Sequence, residues 1–305
     1  MLFRSAVAAL TGFCTVFFDV VYQSYMPSLV GKENLLEGNS KLATSSAIAE
    51  IAGPGLTGVL VQLITAPIAI LFDAISFLFS AACVSFIRKP EPGHERTGDL
   101  PHPIAGLRFV FHHPVLRPIA GFMITLFFFV GMIGPLYVLY AIRDLHIDPA
   151  RIGLVISVGG IGAMIGSTLA PRISRKFGIG RALLIGTLGM AAGNSLIPMA
   201  HGTLPMVLSF LVIQQLVGDT SLSVFFINEL TLRQSVTPNE VLGRVNAAMQ
   251  LASRGVYPIG ALFCGVITGA VGVRATLAIG ISGIAVSSLW LLSPAVRRLR
   301  KADPH

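Results

Sequence analysis

Five ionisable side chains fall well within long apolar runs of this 305-residue chain, several residues from either end: Asp19, Glu50, Asp73, Asp219 and Arg254. A charge in hydrocarbon surroundings is expensive, so each is a functional candidate by default. Desolvation favours the neutral acid and brings a carboxylate's proton exchange towards working pH. The chemistry on offer is reversible proton carriage, or contact with a substrate. Each residue also has a plainer role. Asp19 fits a structural partner for backbone or arginine, and Asp73 fits helix packing near the outer face. Glu50 lies about one turn before Pro54, where it could sense movement of its helix. Gln214, Gln215, Asn228 and Gln250 offer neutral hydrogen bonds, either to a substrate or between helices at about 0.6 kcal/mol each.

Other chemistries do not fit. Gly160, Gly162 and Gly166 miss the dinucleotide fingerprint by one place and sit within an apolar run. No Walker A sequence occurs, so ATP hydrolysis is not expected. His112 and His113 lack further ligands at metal-binding spacing. Cys14, Cys83 and Cys264 all lie in apolar runs and read as small core residues. Neither a metal nor a cofactor is expected.

These residues must be positioned by helices in lipid. Only 12% of the chain is charged, about half the usual share of a soluble domain, and the mean hydropathy is +0.78. Lipid offers the backbone no hydrogen-bond partners, and the runs are long and unalternating, so helices are the answer. Nine apolar stretches of spanning length occupy 6–25, 45–64, 67–87, 118–140, 152–171, 182–200, 204–230, 247–270 and 275–292. The pairs Gly162/Gly166, Gly189/Gly193 and Gly265/Gly269 suit tight helix packing.

The net charge of +8 reflects topology. No aromatic-basic patch supports nucleic-acid binding. Alternate loops are basic: Lys32 and Lys41, then Arg88, Lys89, Arg96, Arg108 and Arg117, then Arg172, Arg175, Lys176 and Arg181, then Arg233 and Arg244, then Arg297 to Lys301. The positive-inside rule puts these loops and the C-terminus in the cytoplasm, and the N-terminus outside. The longest polar stretch makes 88–117 a cytoplasmic linker between 1–87 and 118–305. Within it, Ile104, Leu107, Val110 and Phe111 could lie on the membrane surface, with Arg108 and His112 towards water.

The ends of the chain resemble each other. Phe17-Phe18, Pro27, Glu33, Leu35 and Asn39 reappear as Phe225-Phe226, Pro238, Glu240, Leu242 and Asn246, at a spacing that suits six helices. The second stretch then matches the eighth, each with a central proline (Pro54, Pro258), and the third matches the ninth. Stretches four to six lack an earlier partner, so three helices, roughly 100 residues, are expected to be missing before Met1.

The segments 17–30 (FFDVVYQSYMPSLV), 51–62 (IAGPGLTGVLVQ) and 72–81 (FDAISFLFSA) resemble the major facilitator superfamily, in its enterobactin-exporter-like branch of transmembrane secretion effectors. The segments 113–117 (HPVLR) and 243–247 (GRVNA) add to the resemblance, which covers the whole chain. Gly53, Pro54 and Gly58 match the Gly-Pro-x-x-Gly-Gly motif of proton-driven exporters, with Thr57 departing. Leu169, Ala170, Arg172, Arg175 and Lys176 match the superfamily's cytoplasmic loop motif, but its Asp is lost, which puts a latch role for this copy in doubt.

The resemblance implies an all-helical polytopic fold, with the nine stretches standing as helices four to twelve of a 6+6 architecture. Residues 1–87 would complete the first bundle and 118–305 would form the second. It implies proton antiport and efflux of a small apolar molecule (a drug, antibiotic or siderophore) across the bacterial cytoplasmic membrane, and no enzyme. It also sets Asp19, with Tyr22 and Gln23 after it, beside the cavity, and Asp219 on the helix related by the repeat. The expected partners are lipid, a small-molecule substrate, protons and, if the chain is one part of a split transporter, a separate chain supplying helices one to three. The competing reading is a transport-inactive remnant or a membrane interaction subunit.

Overall fold

The computed structural model describes residues 14, 17–18, 21–64, 66–86, 105–297 and 299. Asp19 lies outside them, as do the side chains of Glu50, Gly53, Pro54, Gly58 and Asp73. The described chain is built of helices: α1 (21–30), α2 (Leu35–Ile64), α3 (Ala66–Ser85), α4 (Ala105–His112), α5 (Leu116–Arg143), α6 (Pro149–Phe177), α7 (Ile179–Met199), α8 (Leu204–Val236), α9 (Asn239–Val271), α10 (Val273–Ser287) and α11 (Pro294–Arg297), with a 3-10 turn over Ser288–Leu292.

Among the described residues, six helices are long and apolar enough to cross a membrane: α5 to α9, and α10 with its 3-10 extension. They coincide with the fourth to ninth apolar stretches. Helices α2 and α3 cover the second and third, and α2 runs unbroken through Gly53, Pro54 and Gly58.

The helix ends depart from the apolar stretches. Helix α2 begins at Leu35 rather than 45, α8 continues to Val236, and α9 starts at Asn239 rather than 247. Residues that read as loop are instead buried faces of longer helices: Leu35, Asn39 and Ser40 on α2, and Leu242, Val245 and Asn246 on α9. At 33 residues each, α8 and α9 run roughly 50 Å, well beyond the ~30 Å hydrocarbon core. Arg233 is likewise no loop residue. It is buried, because Glu229 one turn earlier on α8 supplies a countercharge at 3.3 Å.

Single glycines join several helices end to end. Gly31, Gly178 and Gly272 take φ of 81°, 84° and 82° with extended ψ, a region essentially reserved for glycine. Helix α6 has an N-cap as well: Asp148 accepts from the Arg151 amide at 3.0 Å, with Pro149 in the first turn. Outside the apolar stretches, Lys41 hydrogen-bonds Glu37 at 2.9 Å and holds its carboxyl below the usual range, with a smaller pull from Arg175.

The main core lies between α5, α7, α8, α9 and α10, where Phe122 and Phe225 meet with ring centroids 4.6 Å apart. Glycines set the close approaches. A Cβ on Gly162 or Gly166 of α6 would fall 2.9 or 2.3 Å from a carbonyl oxygen of α8, and one on Gly193 of α7 would fall 2.8 Å from the Gly218 amide. The Gly265/Gly269 pair differs: neither residue has anything within 4 Å, so among the described residues it packs against nothing.

Helices α5 and α9 interlock reciprocally. A Cβ on Gly131 would lie 2.2 Å from the Tyr257 carbonyl oxygen, and one on Gly260 would lie 1.9 Å from that of Phe128. Backbone cannot step aside as a flexible side chain can. Gly260→Leu is therefore expected to part α5 from α9 at a cost of about 1–3 kcal/mol or more, seen as a lower thermal midpoint and a lower monodisperse yield in detergent.

Candidate functional site

The cavity follows from helical spacing. On α8, Gln215, Asp219, Leu222, Ser223, Phe226 and Ile227 recur at intervals of three and four and so share one face. Ala43, Ser46 and Ala47 of α2, and Ile156, Gly159, Gly160 and Ala163 of α6, do the same. The three faces enclose a cavity of about 500 Å³. A second cavity of about 200 Å³ adjoins it, sharing Ala43, Ser46, Phe226 and Ile227, and adds Tyr22, Gln23 and Met26 from α1. The walls thus come from helices on both sides of the stretch 87–104.

Asp219 sits where α8 crosses α6 at Gly159. A Cβ on Gly159 would fall 2.3 Å from the Asp219 Oδ2 and 2.9 Å from the Gln215 Nε2. The Gln215 amide donates to the Ile156 carbonyl at 3.4 Å. Tyr137 of α5 lies within electrostatic reach of the Asp219 carboxylate.

A polar seam runs along the smaller cavity, whose lining includes Gln23, Asn39 and Gln234. Asn39 of α2 donates to Thr231 Oγ1 at 3.0 Å and to Gln234 Oε1 at 2.8 Å. Gln234 donates to the Gln23 carbonyl at 2.7 Å. Asn246 of α9 donates to Ser24 Oγ of α1 at 3.0 Å. Thr44 and Ser167 share a bond of 2.6 Å, and Ser40 donates to the Ser167 carbonyl. Lys32 reaches the Ser235 and Thr237 carbonyls at 3.5 Å.

The repeat noted in the sequence has a physical counterpart here. Leu35 and Leu242 are both buried, Glu33 and Glu240 both exposed, and Asn39 and Asn246 each bond the other side of the seam.

The sequence candidates separate. Tyr22, Gln23, Gln215 and Asp219 line the two cavities. Gln214 turns the other way and donates to Asn194 of α7 at 3.4 Å. Asn228 ties α8 to α6, accepting from Ser174 and donating to the Val224 carbonyl at 2.7 Å. Arg254 is exposed on α9. Arg172, Arg175 and Lys176 are exposed near the end of α6, with Lys176 lying 5.2 Å over the Phe177 ring.

Sequence reasoning missed Glu229 and Arg233. Their side chains are 2% and 6% exposed, and their 3.3 Å approach lacks hydrogen-bond orientation. The Arg233 guanidinium also donates to Gln23 Oε1 at 3.4 Å across the seam. The signal was present as an acid and a base four apart on one helix face, but both stood at the edge of an apolar stretch closed at 230.

Comparison with known proteins agrees with this architecture. The crystal structure of a bacterial homologue of the iron transporter ferroportin in an outward-facing state superposes with a TM-score of 0.69, at 20% identity, over 90% of this chain and 67% of that one. The enterobactin exporter EntS of Citrobacter koseri is 27% identical over 287 residues, 91% of this chain and 66% of the relative. The Escherichia coli exporter of the same name is also 27% identical, over 92% of this chain and 66% of its own length. The chain thus spans a little under two thirds of these relatives. The family model described as Major Facilitator Superfamily matches residues 5–261. With that match on a helical, multi-pass membrane fold, the chain belongs to the major facilitator superfamily.

Proposed function

We propose that this chain forms the greater part of a proton-coupled exporter of small, fairly apolar molecules in the bacterial cytoplasmic membrane. The observation that carries this reading is the cavity of about 500 Å³, walled by α2 on one side and by α6 and α8 on the other, with the polar seam beside it. A site between two groups of helices can be exposed to each side in turn as the groups rock. The seam lies at the basic end, which the positive-inside rule assigns to the cytoplasm together with the C-terminus. The name of the EntS relatives, enterobactin exporters, supports an outward direction, and the substrate we infer is a siderophore, drug or antibiotic.

In this mechanism Asp19 or Asp219 takes a proton from outside and releases it inside as the groups rock. Proteoliposomes loaded with an apolar fluorescent dye test it. An imposed proton gradient should drive dye transport by the wild-type chain, and the Asp19→Asn, Asp219→Asn double variant should lose it by roughly tenfold or more. Undiminished proton-driven transport in that variant would remove both carboxylates from the mechanism.

A second reading has one observation in its favour. Helix α9 is the least buried of the six spanning helices, and Gly265 and Gly269 on it face open space. A face of that kind suits close packing against a further helix, so this chain would act as one subunit beside a separate chain supplying three helices. Transport that appears only on co-reconstitution with such a chain would favour this reading.

A further inference from the structure

We propose that α4 is an in-plane membrane anchor that binds anionic phospholipid, with Leu107 and Phe111 entering the acyl boundary and Arg108, Arg117 and Arg244 meeting the headgroup. Anchoring of this kind goes beyond the transport reading and needs only a multi-pass chain in lipid.

Helix α4 (Ala105–His112) presents three faces. Gly106 and Val110, one turn apart, form the inner one. Val110 is 1% exposed in the main core, and a Cβ on Gly106 would fall 2.5 Å from the Arg244 carbonyl oxygen of α9. Of the four apolar residues expected at the membrane surface, Ile104 lies outside the described residues and Val110 belongs to the core instead. Leu107 and Phe111, also one turn apart, form a second face and are 39% and 48% exposed. Arg108 and His112 form a third, and both are exposed. One side on protein, one apolar and one basic is the form of a helix lying in the membrane interface.

The chain fixes this helix at the right level. Helix α4 leads into α5, the first of the six spanning helices, through a bend at Pro114. The bend is bonded across. The His113 amide donates to the Phe109 carbonyl and the Arg117 amide to the His113 carbonyl, both at 3.0 Å. His113 Nδ1 accepts from the Val115 and Leu116 amides at 3.3 Å each. The three faces are therefore held in place where α5 enters the hydrocarbon.

Charge and size identify the occupant. Among the described residues Lys41, Arg151 and Arg233 carry ion pairs, and Arg108, Arg117 and Arg244 do not. Arg117 is exposed and Arg244 half-buried beside Gly106. Guanidinium groups match phosphate with paired N–H donors. Two apolar side chains are too few for a protein partner, which needs roughly 800 Å² from each side. A soluble phosphate would leave them unused, and a zwitterionic lipid would leave the arginines without a net countercharge. An anionic phospholipid serves both, and each arginine near its headgroup is worth roughly fivefold in binding.

Titration of the purified full chain in neutral detergent tests this. The probes are fluorescent phosphatidylglycerol, phosphatidylcholine with the same acyl chains, and glycerol phosphate as a soluble competitor. Phosphatidylglycerol should bind about tenfold or more tighter than phosphatidylcholine, and more weakly in added salt. The Arg108→Gln, Arg117→Gln, Arg244→Gln variant should lose about tenfold or more of that affinity. The Arg172→Gln, Arg175→Gln, Lys176→Gln variant, altered at another exposed basic junction, should keep it. Leu107→Ser with Phe111→Ser should weaken the binding of both lipids. The thermal midpoint without lipid should change little in all three variants, which reports an intact fold. Equal affinity for the two lipids overturns the proposal, as does an equal loss in the two basic variants. Displacement of the lipid by glycerol phosphate at similar concentration would make this a soluble-anion site instead. A lower midpoint without lipid in the Leu107→Ser, Phe111→Ser variant, with lipid binding unchanged, would place that face against this chain rather than the bilayer. Transport plays no part in these readouts, so the transport reading stands or falls separately.

Discussion

Glu229→Ala should destabilise the folded chain by about 3–5 kcal/mol, the cost of leaving one member of a buried ion pair unpaired. The side chains of Glu229 and Arg233 are only 2% and 6% exposed, so water cannot take the place of the lost carboxylate. Arg233 would keep one weak contact, to Gln23 Oε1 at 3.4 Å. The expected readout is a large fall in thermal midpoint in detergent. Adding Arg233→Met should restore most of the loss, because an apolar replacement of both partners is often neutral or better. If the single variant unfolds at the wild-type temperature, Arg233 has another anion within reach and the pair is not what holds that end of α8.

The second large effect is expected at Gly159. A Cβ there meets only side-chain ends: the Asp219 Oδ2 at 2.3 Å and the Gln215 Nε2 at 2.9 Å. Those groups can swing away, so Gly159→Val should leave the fold close to intact while displacing the carboxylate. Proton-driven dye transport should drop by roughly tenfold or more, with Gly159→Ala intermediate and the thermal midpoint little changed. Gly260 is the contrast, since its Cβ would meet backbone and the loss should appear in stability instead. Equal proton-driven transport across the Gly, Ala and Val series would show that the seat of Asp219 does not matter to transport.

How much of this was legible beforehand varies with the physical signal. Apolar runs place spanning helices, because lipid leaves the backbone no alternative, and among the described residues α5 to α10 fall where the runs predict. The ends were not legible. A hydropathy window cannot tell a polar residue in a loop from one bonded across a seam, and Asn39, Asn246, Arg233 and Gln234 are of the second kind. Of the amides picked out as candidates, Gln215 meets the cavity and Gln214 does not, although they are neighbours in sequence. Helical rotation of about 100° per residue decides between them, and single-sequence polarity carries no information on which face looks inward. Internal repetition proved the better guide, since it singled out Asn39 and Asn246, both of which cross the seam.

That seam also sets an energy scale for switching. Apart from Lys32 and Arg233, its members are neutral amides and hydroxyls, and such bonds between membrane helices average about 0.6 kcal/mol each. In the rocking mechanism proposed above, a handful of them would favour the arrangement described here by a few kcal/mol, an equilibrium ratio on the order of 100 to 1,000. A bias of that size lies within reach of a ligand that binds the two arrangements with modestly different affinity. In that mechanism the two populations would be redistributed by occupancy of the cavity alone, and added salt should alter the ratio little, because few of the bonds being exchanged join opposite charges.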